Sequence, residues 1–114
     1  MSFTVTYAER DGGAYLRLAG ELDMSTVPEL TAVLDRLAAA GTYRLLLDLA
    51  ELTFCDSTGI AAFVRGDNQA SAAGGWLRLT GASGRVDRVL QVTGLADVLR
   101  HAADTADPRT RTAG

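Results

Sequence analysis

The stretch Phe54-Cys55-Asp56-Ser57-Thr58-Gly59-Ile60 decides how this chain reads. A largely apolar run, Leu45 to Leu49, leads towards its Ser-Thr-Gly corner, and a helical pattern opens at Ile60. Hydroxyls at such a junction sit where unpaired backbone N–H groups gather, so they can cap the helix or carry a phosphate.

Upstream, Arg44-Leu-Leu-Leu-Asp-Leu-Ala50 is nearly continuous in apolar residues and bounded by turns, the pattern of a strand covered on both faces. Before it, Thr26-Val-Pro-Glu29 fits a capping box with Pro28 in the first turn. Leu30, Val33, Leu34, Leu37 and Ala38 follow at helical spacing, and Gly41 stops the helix. Earlier still, Phe3, Val5 and Tyr7 alternate with polar residues as in a half-buried strand. Asp11-Gly12-Gly13 is a hairpin signal. A second strand follows, with Leu16 and Leu18 on one side and Tyr15 and Arg17 on the other, ending at Gly20 before a polar loop, Glu21 to Ser25.

Downstream, the spacing predicts a helix from Ser57 to Ala73 that buries Ile60, Phe63 and Val64 and turns Arg65, Asp67 and Gln69 outward. Trp76 to Thr80 alternates as a strand, with Arg78 read as solvated. Ser83 opens a third helix through Val86, Val89 and Leu90, closed by Gly94, and Leu95 to Leu99 suits a short strand or a helical turn. The order β-β-α-β-α-β-α predicts an α/β fold: a mainly parallel sheet whose opening hairpin supplies one antiparallel edge. Residues 1–100 form one domain; from His101 to Gly114 the composition turns polar, as in a frayed tail.

Composition narrows function. With 114 residues, 47% hydrophobic and 22% charged, the chain is an ordinary single domain. A net charge of −3 argues against nucleic acid. A lone cysteine asks for no oxidising compartment, and Met1-Ser-Phe-Thr-Val has neither the basic segment nor the apolar core of a secretion signal. No apolar run approaches the roughly 20 residues of a membrane span. A soluble, cytoplasmic domain with no metal or cofactor and no membrane insertion is the expectation.

Gly20-Glu21-Leu22-Asp23, the capped helix, Leu47-Asp48-Leu49, and then Asp56-Ser57-Thr58-Gly59 with Gly94-Leu95 downstream resemble the bacterial anti-anti-sigma factors, a branch of the STAS domain family. The resemblance spans roughly residues 3 to 100 and implies the STAS fold. It implies a protein that binds an anti-sigma factor that is also a serine kinase, a GHKL-type ATPase, thereby freeing a sigma factor. Phosphorylation of the serine after the aspartate, here Ser57, ends binding, and a serine phosphatase resets the cycle. Asp23, Ser25, Thr26, Asp56, Thr58, Gly59 and Ile60 would form the partner face, with the loop from Gly20 to Thr26 beside the Ser57 helix start. Cys55 departs from the expected inert apolar residue, and the segment after Leu99 lacks an amphipathic final helix.

A phosphate at Ser57 would meet free helix N–H groups, so the fold itself tolerates it. Gly59 would let a partner's backbone approach, or merely fit a tight first turn. An enzyme is the first rival to a binding protein, but the sole histidine, His101, lies in the weakly patterned end, and neither a Gly-x-Ser-x-Gly elbow nor a phosphate loop is present. A receiver domain would need a lysine, and the chain has none. Two further rivals share the fold: a STAS subunit of a lipid-transport ATPase, and a scaffold component of a stress-signalling assembly.

Overall fold

Asp11 and Gly12 both take positive φ, 54° and 78°, the backbone of a two-residue type I′ turn, which Asp-Gly supplies. They join β1 (Phe3–Arg10) to β2 (Gly13–Leu22) in an antiparallel pair running from Phe3↔Gly20 to Arg10↔Gly13. The structure, a computed structural model, describes residues 2–99. After the hairpin come α1 (Val27–Ala39), β3 (Arg44–Cys55), α2 (Ser57–Ala72), β4 (Trp76–Thr80), α3 (Gly84–Val92) and α4 (Leu95–Leu99). The last segment is therefore helical. His101 and the polar tail lie outside the described residues.

The strands order as β1-β2-β3-β4, with β3 parallel to both β2 and β4. Both crossovers step the same way across the sheet, and the right-handed rule then sends α1 and α2 to one face. The core lies there: Leu16, Leu18, Leu47, Leu49 and Leu77 pack with Leu30 and Leu34 of α1, Phe63 of α2, and Val86 and Leu90 of α3. No helix among the described residues is long and apolar enough to cross a membrane.

The strand expected to be covered by layers on both sides is layered on one. Tyr15, Leu46 and Arg78 share a cross-strand row on the other face, and Leu46 is fully buried yet stands apart from the helix-side core. Its long neighbours shade it, with Arg17 over the Tyr15 ring and Arg78 over Trp76. Arg78 is therefore not simply solvated. Asp67, expected outward, accepts the Leu77 N–H at 3.0 Å and pairs with Arg78 at 3.2 Å, tying α2 to β4. The face α2 buries is also made of smaller side chains than expected. Ala62, Phe63, Gly66 and Ala70 are inside, while Ile60 and Val64 are only half-buried.

β3 overruns its expected end at Ala50 and reaches Cys55, and β2 continues past Gly20 to Leu22. Two bulges explain both. Arg17↔Asp48 is followed by Ala19↔Glu51, and Gly20↔Leu52 by Glu21↔Phe54, so β3 carries one extra residue at each step. At the first bulge Asp48 accepts the Ala50 N–H at 3.0 Å, and it also takes the Tyr15 hydroxyl and lies 3.8 Å from Arg17. This buried carboxylate thus supplies a partner for a bulge amide and fixes where β3 bends towards its C-terminal end.

Candidate functional site

The ends of β2 and β3 stay paired to the last residue, Leu22↔Cys55, and the Asp56 N–H then donates to the Leu22 carbonyl at 3.2 Å. That bond sets two chain reversals side by side: the β2–α1 loop, with Asp23, Ser25 and Thr26, and the start of α2, with Asp56 to Ile60. The site residues expected from sequence are brought together, although their orientations differ.

Asp56 is the N-cap of α2, in extended backbone. Its Oδ1 accepts the N–H groups of Thr58 and Gly59 at 2.9 and 3.2 Å and the Thr58 hydroxyl at 2.5 Å. The Thr58 hydroxyl is the chief cause holding the Asp56 carboxyl below its ordinary range, against partial desolvation and the nearby negative charge of Asp23. Ser57 points away from this clasp. It is exposed, and its hydroxyl makes no hydrogen bond among the described residues. The free N–H groups anticipated for a phosphate are thus largely taken: Asp56 holds those of Thr58 and Gly59, and the Ile60 N–H closes on the Asp56 carbonyl at 3.1 Å.

The neighbouring loop repeats the device. Asp23 Oδ1 accepts the Ser25 N–H at 2.9 Å, the Ser25 hydroxyl at 2.7 Å and the Thr26 N–H at 3.2 Å. Its carboxyl is likewise held low, chiefly by the Ser25 hydroxyl. The expected capping box does not form. Thr26 has helical φ and ψ and makes no side-chain cap. Its hydroxyl turns inward instead, donating to the Glu21 carbonyl at 2.8 Å and accepting the Asp23 N–H at 2.9 Å. Thr26 is therefore buried and shapes the loop from within.

Gly59 also faces inward. A Cβ there would stand 2.7 Å from Cys55 Sγ and 2.9 Å from Leu22 Cδ2, so the missing side chain lets the helix start bed onto the strand ends. Cys55 is the buried thiol beneath it, pushed up to about 12, first by burial and then by the Asp56 charge. It is a neutral packing group rather than a nucleophile. Sequence reasoning missed Met24, which sits between Asp23 and Ser25 and is 76% exposed. The only signal was an apolar residue in an otherwise polar loop.

Asp23 and Asp56 thus hold two ionised carboxylates on one edge, with Ser57 and Met24 displayed between and beside them. Among the described residues no base hydrogen-bonds Ser57, and the Asp56 Oδ1 is taken by Thr58 and Gly59. The arrangement can bind a surface and offer a hydroxyl to another protein's active site.

The family described as Mlab, STAS domain, matches residues 5–101. With the one-sided mixed sheet and the Asp-Ser-Thr-Gly helix start in place, the chain belongs to the STAS domain family. Among its relatives is the anti-sigma-B factor antagonist of Staphylococcus epidermidis, 32% identical over 87% of this chain and 92% of that protein. The anti-sigma factor antagonist SpoIIAA in its unphosphorylated form superposes with a TM-score of 0.74 at 25% identity, over 90% of each chain. An anti-sigma factor antagonist from Mycobacterium paratuberculosis has a TM-score of 0.77 at 23% identity, covering 90% of this chain and 89% of that one, a likeness of fold.

Proposed function

We propose that this protein is an anti-sigma factor antagonist. Unphosphorylated, it binds an anti-sigma factor that is itself a serine kinase of the GHKL type, and a sigma factor is released. Transfer of a phosphoryl group to Ser57 ends that binding, and a serine phosphatase restores it. The observation that carries the reading is the contrast between two adjacent hydroxyls: Ser57 is exposed and without a partner among the described residues, whereas Thr58 is clasped by Asp56 at 2.5 Å. The names of the relatives support the class of partner.

In the transfer step a bond forms between Ser57 Oγ and the γ-phosphorus of ATP as the bond to the β–γ bridging oxygen breaks. ADP leaves, and the hydroxyl proton passes to a base on the kinase. The partner face then gains about −1.5 to −2 charges beside Asp23 and Asp56. A partner carboxylate about 6 Å away, at an effective dielectric near 20, would be repelled by roughly 2–3 kcal/mol per charge pair.

The test is capture from the native host with wild-type and Ser57→Asp chains, followed by mass spectrometry and by phosphorylation of the wild-type chain with ATP and the captured kinase. The reading expects an anti-sigma kinase held by wild type, released from a Ser57→Asp chain that remains folded, and phosphate mapped to Ser57. Transport-ATPase subunits held equally by both chains would overturn it in favour of a transporter component.

A further inference from the structure

A phosphoryl group on Ser57 would enter a helix start that is already occupied. Of the amides a phosphate could use, those of Thr58 and Gly59 end on Asp56 Oδ1, and that of Ile60 ends on the Asp56 carbonyl. Only the Ser57 N–H is left without a partner among the described residues. Elsewhere, a phosphoserine in the first turn of a helix helps the helix, because the donors and the dipole receive it. Here the donors are held by a carboxylate one residue away. Asp23 adds a second negative charge from the neighbouring loop, close enough to oppose ionisation of Asp56.

Resting on Ser57 as the acceptor, we infer that Asp56 is a positioning residue that keeps the Ser57 phosphate off the helix start and turned outward, so that phosphorylation weakens the fold where a helix N-terminus would otherwise gain from it. Two consequences follow. The phosphate stays on the surface, where it blocks the partner and remains within reach of a phosphatase. The modified state also carries the repulsion between the phosphate and Asp56, and hydrolysis relieves it. Asp56 does this through the same three hydrogen bonds that hold Thr58 and Gly59, so one carboxylate both selects the acceptor and expels the group it receives.

The experiment installs phosphoserine at position 57 during translation of the full chain, in the wild-type and Asp56→Asn backgrounds, and compares melting temperatures near neutral pH. Asparagine caps a helix as well as aspartate does, so the helix start survives the substitution. The expected result is a fall of about 4 °C or more on phosphorylation of the wild-type chain, with a smaller fall or a rise in Asp56→Asn. An equal or larger fall in Asp56→Asn overturns the inference.

A second measurement holds if melting proves irreversible. The phosphorus resonance is titrated through the second ionisation, which ordinarily lies near about 6. Asp23 and the neutral Cys55 thiol face the site in both backgrounds, so only the Asp56 charge differs. The phosphate is expected to lose its last proton at higher pH in wild type than in Asp56→Asn, and identical titrations overturn the inference. Neither measurement needs a kinase, so the result stands apart from whether Ser57 is the acceptor in the host.

Discussion

The two reversals that form the site edge are built alike and display different things. In the β2–α1 loop, Asp23 takes the N–H and hydroxyl of the residue two ahead and the N–H of the residue three ahead, at 2.9, 2.7 and 3.2 Å. At the start of α2, Asp56 does the same at 2.9, 2.5 and 3.2 Å. In each, the residue just after the aspartate is left outside the clasp: Met24 in one, Ser57 in the other. The geometry of display is therefore shared, and the chemistry lies wholly in which side chain occupies the displayed position. What differs beneath is the footing. The Asp23 turn is also held by the buried Thr26 hydroxyl, whereas the Asp56 turn rests on Gly59 against Cys55 and Leu22.

That contrast can be broken in three places. Replacing Met24 tests whether the first turn displays anything of use. Full burial of such a side chain is worth about 1.5–3 kcal/mol. Met24→Ser should therefore weaken binding to the anti-sigma partner about tenfold or more, one decade per roughly 1.4 kcal/mol, and calorimetry should find the melting temperature unmoved. Unchanged affinity would reduce the Asp23 turn to scaffolding. Gly59→Ala tests the footing of the second turn: the added methyl meets Cys55 Sγ at 2.7 Å, and overpacking of this kind costs about 1–3 kcal/mol. Urea unfolding should show the loss, with partial recovery when Cys55→Ala is added.

Asp56→Ala removes the second clasp and should cost about 0.5–2 kcal/mol at neutral pH, more than Asp23→Ala, whose loop keeps the Thr26 bridge. The sign with pH follows from the lowered carboxyl of Asp56. Its stabilisation is present above the unfolded value, about 3.9, and disappears as pH falls through the lower folded value. The gap between wild type and Asp56→Ala should accordingly close in acid. A gap independent of pH would assign the effect to packing rather than to the ionised cap.

Legibility in the sequence followed local chemistry. Asp11-Gly12 specified its turn outright, and the helical spacing of Leu30, Leu34 and Leu37 placed α1. The end of β3 was hidden because each bulge stretches the interval between inward residues from two to three. Leu49, Leu52 and Cys55 are all buried, and that interval does not read as a strand. Asp67 looked solvated because a single helix pattern cannot show that the N–H of Leu77 lies within its reach. At the site, Asp56-Ser57-Thr58-Gly59 marked the position, but three adjacent polar side chains compete for the same donors. Backbone and rotamer geometry, absent from a string of letters, decide that Asp56 wins and Ser57 is left out. Thr26 misled for the same reason. Its hydroxyl had a closer partner in the Glu21 carbonyl than in the helix it precedes.

The two bulges of β3 also impose a rule of parity. One extra residue in a strand exchanges its two faces for everything that follows, and a second extra residue exchanges them back. Because β3 carries two, Cys55 again faces the helices, as Leu45, Leu47 and Leu49 do, and Asp56 leaves the sheet with its carboxylate over the helix it caps. Loss of one or two residues between Leu49 and Cys55 would therefore be absorbed by closing one or both bulges, which restores one-to-one pairing with β2 and keeps Leu22 opposite Cys55. A third loss would have no bulge left to close and would pull the Ser57 helix start off the edge it shares with Met24.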